Sequence, residues 1–185
     1  MIVNGQSLLK IQPLDPMVPT KTRSGGTSHG LSEAGYDLRI KQDIKFVKSA
    51  FGDRVIVTDP DAGEEIFFGS FCLASTIEKF NMPDFLVANI HDKSTWARQA
   101  LSVFNTVVEP GWSGWLTLEL VYHGQTDLHI PAGSGIVQAL FSQLTDAASY
   151  GDGKYQNAGN FPQPSIWVND LSEPMGIPSL DPNRD

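Results

Sequence analysis

Glycine and proline stand between short apolar runs along nearly the whole chain, 17 glycines and 12 prolines among 185 residues, and this spacing leaves little room for long helices. Glycine opens the φ values that turns need and proline withdraws an amide donor. Chains punctuated in this way fold as short strands joined by tight turns. The apolar runs predict strands over Tyr36–Ile40, Arg54–Thr58, Glu65–Thr76, Phe85–Ile90, Leu101–Val108, Gly114–Tyr122, Asp127–Ile130 and Ile136–Ser142. Turn residues at 59–63, 109–111, 123–124 and 131–135 separate them. Helical periodicity of useful length survives only at Ser94–Ala100, where Ser94 is placed to cap the N-terminus. The expected class is all-β.

A chain of this length can bury a full core as a single domain without staples. With 41% apolar and 18% charged residues it does not have the composition of a disordered chain. Cys72 stands alone, which excludes an internal disulfide and a cysteine-built zinc cage. Lysine and arginine number 13 against 21 acidic residues, a net charge of −8, which argues against a sequence-independent grip on nucleic acid. A small anionic ligand needs only a few clustered cations. No run approaches the roughly 18 apolar residues of a membrane span. Met1–Gly5 opens no basic-then-apolar leader, so a reducing cytoplasm is the expected setting. Residues 1–33 form an N-terminal arm with a flexible loop over Thr20–Gly30, residues 34–145 the β core, and residues 146–185 a tail. From Gly151 the tail is rich in Asn, Gln, Pro and Asp; it is either disordered or an arm that folds over a ligand or a neighbouring subunit.

Two segments hold residues suited to chemistry. In Lys93-Ser94-Thr95-Trp96-Ala97-Arg98, Ser94 and Arg98 lie at i and i+4 and share a helical face, while Lys93 and free first-turn amides favour an anion. A capped surface helix with solvated charges accounts for the same residues. In Gly114–Tyr122, strand alternation puts Leu116, Leu118, Leu120 and Tyr122 on the core side and Trp115, Thr117, Glu119 and Val121 on the other. A glutamate among Trp, Thr and Val is desolvated and can shuttle protons near neutral pH, unless it is simply an exposed strand residue. His29, His91, His123 and His129 show no metal spacing, and the acidic residues at 59–65 lack a calcium-loop pattern.

Taken in order, the segments resemble the trimeric dUTPase/dCTP deaminase superfamily from about Ala34 to Ser165. Ala34-Gly35-Tyr36-Asp37-Leu38 is similar to its first motif, Lys93–Arg98 to the second and Val107–Gly114 to the third. Pro131–Leu140 is similar to the fourth, and Gly153-Lys154-Tyr155-Gln156 to the C-terminal K-Y-Q segment. Leu118-Glu119-Leu120 resembles the deaminase branch, whose L-E-[LF] glutamate the dUTPases generally lack.

The resemblance implies a distorted jelly-roll-like β-barrel with one short helix and extended terminal arms, a homotrimer with sites shared between subunits, and a tail closing over the phosphates. It implies zinc-independent removal of the cytosine amino group, most readily from dCTP to give dUTP and ammonia. The chain has no H-x-E…P-C-x-x-C zinc-deaminase pattern. In that scheme Glu119 is the general base, Ser94 holds the water or base edge, and Arg98 steadies the ionised glutamate. Lys93 and Lys154 face phosphates that carry Mg²⁺, and Glu109 faces the sugar 3′-hydroxyl. Asn105, Thr106, Trp112, Gln138, Tyr150, Tyr155 and Gln156 complete the expected nucleotide site. Glu109 replaces the family aspartate and Ala158 a glutamine often found shortly after K-Y-Q, changes that border the sugar and the distal phosphates. Deamination of dCMP or of a 5-modified nucleotide, dUTPase or bifunctional cleavage to pyrophosphate, and a non-catalytic nucleotide-binding trimer are the alternatives.

Overall fold

The computed structural model describes residues 1–167. Its largest sheet has seven strands and is organised around Gly135–Gln143, which buries Ile136, Val137, Ala139 and Phe141. On one side of this strand lie Leu86–Asp92 and Val107–Val108; on the other lie Tyr36–Arg39, Thr27–Leu31 and Thr22–Ser24. Ile2–Val3 also pairs with Gly135–Gln143, through Ser142 and Phe141. A second sheet runs Leu101–Val103, Ser113–Tyr122, Phe71–Asn81, Leu14–Asp15, and a third runs Leu128–Ile130, Asp43–Val47, Arg54–Asp59, Gly63–Phe68. The chain is therefore all-β with curled sheets, as its turn spacing requires. Leu38, Phe46, Phe80, Leu118, Leu120 and Phe141 share one core. Inside it, Glu78 is fully buried and takes the Arg39 backbone N–H at 2.9 Å and its guanidinium Nε at 2.7 Å. The pair ties the first sheet to the second.

Several local expectations are corrected. The run predicted as a single strand over Glu65–Thr76 divides into Gly63–Phe68 and Phe71–Asn81, because Gly69 takes a φ of +101° and turns the chain. Leu101–Val108 likewise divides into Leu101–Val103 and Val107–Val108 around an exposed Phe104–Thr106 loop. Asp43–Val47 is an additional strand. Residues 20–30, expected as a flexible loop, contain the paired strands Thr22–Ser24 and Thr27–Leu31. Among the described residues there are two short helices, Gly5–Ile11 and Ser94–Ala97. The second ends earlier than expected, and its N-cap is Lys93 without a side-chain cap bond, since Ser94 is itself helical. Of the predicted tail, residues 168–185 lie outside the described residues.

Candidate active site

The Ser113–Tyr122 strand places the catalytic candidate. Leu118, Leu120 and Tyr122 are buried while Trp115, Thr117, Glu119 and Val121 are half-buried, the alternation expected from a two-residue period. A register shift between Trp115 and Thr117 lets Leu116 reach the same side as its polar neighbours, so that Trp115, Leu116, Thr117 and Glu119 all line a cavity of about 400 Å³. Phe71 and Leu73 of the paired strand, Thr106–Glu109 of the preceding loop, and Trp112 complete that wall. Burial pushes the Glu119 carboxyl above the ordinary glutamate pKa, opposed in part by a backbone contact of its own. Among the described residues no lysine, arginine or histidine lines the cavity, although two carboxylates, Glu109 and Glu119, do.

The tail folds back over this cavity on its own chain. The Tyr150 N–H donates to the Pro110 carbonyl at 2.7 Å, and Trp112 Nε1 donates to the Tyr155 carbonyl at 2.8 Å. Gln156 braces the turn at Gly111: its Nε2 donates to the Gly111 carbonyl at 2.9 Å and its Oε1 accepts from the Ser113 N–H at 2.8 Å. Asn157 and Ala158 then zip alongside Ser113–Trp115. Tyr150, Tyr155, Ala158, Gln163 and Ser165 thereby become wall residues. As far as Trp167 the segment lies against its own chain.

Of the residues singled out in the sequence, Glu119, Glu109, Thr106, Trp112, Tyr150 and Tyr155 meet in the cavity. The others do not. Ser94 on the short helix and Arg98 just past its end are exposed, away from the cavity walls, and Asn105 is exposed in the loop. Lys93 and Gln138 converge instead on Asp37, which is 2% exposed. Lys93 Nζ forms an ion pair with Asp37 and donates to Ser28 Oγ at 3.1 Å, while Gln138 Nε2 donates to Asp37 Oδ1 at 3.3 Å and to Ser32 Oγ at 3.0 Å. Lys154 sits over the Tyr155 ring, 5.0 Å from its centre, and donates to the Ile166 carbonyl at 3.0 Å. Asp37 had a sequence signal in the first motif; Gln163 had none.

A family model described as dCTP deaminase-like matches residues 21–144. The chain belongs to that family. A dCTP deaminase of Herpetosiphon aurantiacus is 36% identical over 170 residues, covering 83% of this chain and 90% of the relative. A dCTP deaminase of Acidobacterium capsulatum is 34% identical over 166 residues, with 83% and 91% covered. Among solved structures, the 2′-deoxycytidine 5′-triphosphate deaminase of Agrobacterium tumefaciens aligns over 76% of this chain and 47% of its own, at 15% identity and a TM-score of 0.49. The family match ends at residue 144, short of the tail that covers the cavity.

Proposed function

We propose that this chain is a hydrolytic deaminase that converts dCTP and water to dUTP and ammonia, with Glu119 as general base. The observation that supports it is the half-buried Glu119 carboxyl in an aromatic-walled cavity of about 400 Å³, large enough for a nucleoside. Ionised, Glu119 takes a proton from the water whose oxygen bonds to C4 of the base. Protons then pass to N3 and to the amino nitrogen, the C4–N4 bond breaks, and ammonia leaves. A carboxylate with a raised pKa suits this traffic because, once it has taken the water proton, it holds it more firmly than an ordinary glutamate until it is passed on. Glu109 faces the sugar 3′-hydroxyl.

Two carboxylates without a cation in the wall repel a polyphosphate, so the positive charge must come from another surface. Arg98 of a neighbouring copy supplies it in this reading and stabilises the charge at the reacting centre, while Ser94 beside it holds the water or the base edge. A site shared in this way needs a neighbouring copy, and the homotrimer implied by the resemblance provides one. Exposed Phe71, Phe104 and Val107 stand at or beside the cavity, apolar surface of the kind an interface covers. Lys93 and Lys154 take the phosphates, exchanging Asp37 and the Ile166 carbonyl for them. Among the described residues no three His, Cys, Asp or Glu side chains gather to hold a metal. A Mg²⁺ carried on the phosphate oxygens, as the resemblance implies, would neutralise part of their charge.

The test is ammonia and pyrophosphate release measured for dCMP, dCDP, dCTP and 5-substituted analogues, with Glu119→Gln in parallel. Ammonia from dCTP without pyrophosphate is the expected result. Near-normal ammonia release by Glu119→Gln overturns the assignment of the base.

A further inference from the structure

The tail beyond the K-Y-Q segment runs Asn160-Phe161-Pro162-Gln163-Pro164-Ser165 between two cavities. A residue that precedes proline is restricted to extended backbone, and both Phe161 and Gln163 precede one. The segment divides accordingly. Phe161, Pro162 and Pro164 line a second cavity, while Gln163 and Ser165 line the Glu119 cavity. It is also pinned at three points. Lys41 Nζ, 9% exposed, donates to the Asn160 carbonyl at 2.7 Å; the Gln163 N–H donates to Thr117 Oγ1 at 2.9 Å; the Ile166 N–H donates to the Tyr155 hydroxyl at 3.0 Å. Thr117 and Glu119 are two residues apart on one strand and share its face. The bond to Thr117 therefore fixes Gln163 beside the catalytic carboxylate.

Several of the wall's polar groups are already engaged. The Thr117 and Tyr155 hydroxyls accept from the tail backbone and each keep one O–H, and Trp112 Nε1 spends its only donor on the Tyr155 carbonyl. Ionised Glu109 and Glu119 only accept hydrogen bonds. A cytosine ring presents O2 and N3, two acceptors that need donors. Gln163 is the one carboxamide lining the cavity among the described residues, and its Nε2 is committed only to the Phe161 carbonyl at a long 3.3 Å.

Resting on the deaminase reading above, we propose that Gln163 is a specificity-determining residue whose side-chain carboxamide donates to the O2/N3 edge of the pyrimidine in the Glu119 cavity. The flanking prolines hold this stretch extended before the ligand arrives, so little ordering entropy is lost on binding.

The side chain can be changed without touching the backbone bond to Thr117. Gln163→Leu is expected to raise KM for dCTP about 3- to 10-fold, the loss of one neutral hydrogen bond, with the change in kcat/KM carried by KM. Gln163→Glu, which adds a third acceptor-only group, should weaken dCTP more than Gln163→Leu. Quenching of tryptophan fluorescence in a Glu119→Gln background gives Kd without turnover: adding Gln163→Leu there should weaken dCTP and leave inorganic pyrophosphate unchanged. An unchanged KM, a fall in kcat alone, or equal weakening of dCTP and pyrophosphate overturns the proposal. If the wild-type protein releases no ammonia from dCTP, the deaminase reading fails, and the fluorescence titrations still decide the contact.

Discussion

The ammonium of Lys93 rests on the carboxylate of Asp37, so a lysine expected to face the nucleotide is paired within its own chain. Ser28 and Gln138 also hold Asp37, and Lys93 is 12% exposed. Asp37→Asn leaves a largely buried ammonium without its counter-charge. Removing one partner of a buried pair costs about 3 kcal/mol, and a melting temperature some 6–12 °C lower is expected for a chain of this size. Adding Lys93→Met to Asp37→Asn should recover part of the loss. Thermal unfolding of the single and double variants measures both effects, and a wild-type melt for Asp37→Asn would show the pair to be idle.

Glu119 should reveal itself in opposite ways in activity and in stability. The base acts only when ionised, so log kcat/KM should fall on the acid side with a midpoint above the ordinary glutamate range, because burial raises the pKa. Glu119→Gln should lower kcat about 100- to 10,000-fold. A folded-state pKa above the unfolded one contributes stability below the unfolded pKa, and that contribution is lost as pH rises through the folded value. At neutral pH the ionised carboxylate is therefore a burden on the fold. Glu119→Gln should melt higher than wild type at pH 7, with the gap closing as pH falls below the ordinary glutamate value. A gap that widens on acidification contradicts the sign.

What could be seen in the sequence follows from which physical signals survive without a partner in space. Period-two alternation placed Glu119 opposite Leu118 and Leu120, and the structure keeps that placement. Asp43–Val47 escaped notice because its strand mixes Asp and Lys with Ile and Phe over only five residues. The Gly69 turn lay hidden inside a run of apolar residues that favour strands. Gln163 gave no signal, since proline-rich extended backbone has no hydrophobic period and its importance comes from a contact with Thr117, 46 residues away. Motif order could gather Ser94, Arg98 and Glu119 into one list, but distance along a chain does not say which copy supplies each. The single chain keeps Arg98 out of the Glu119 cavity.

That separation gives a subunit-mixing experiment. Arg98→Ala and Glu119→Gln should each be inactive alone. If Arg98 of one copy serves Glu119 of the next around a closed ring, co-refolding the two variants in equal amounts restores intact sites. Random assembly regenerates about a quarter of wild-type sites, because each site draws its two residues from two copies. Ammonia release near that fraction is expected. A mixture as inactive as its parts places both groups in the same chain's site.

The tail's seat depends on a missing side chain. Gly114 has a φ of +151° and pairs with Ala158; a Cβ there would come within 2.8 Å of the Ala158 nitrogen and 3.0 Å of its carbonyl oxygen. Both obstacles are backbone, so they cannot swing aside as a flexible side chain would. Gly114→Ala should therefore lift Ala158 and the residues after it from the Ser113–Tyr122 strand, taking Gln163 away from Thr117 while leaving the buried face of that strand intact. The strain at this φ adds about 1–3 kcal/mol. Limited proteolysis should cut the variant between residues 157 and 167 faster than wild type, and KM for dCTP should rise at least as far as for Gln163→Leu. Resistance to cleavage equal to wild type would mean that the tail holds its place without this close approach.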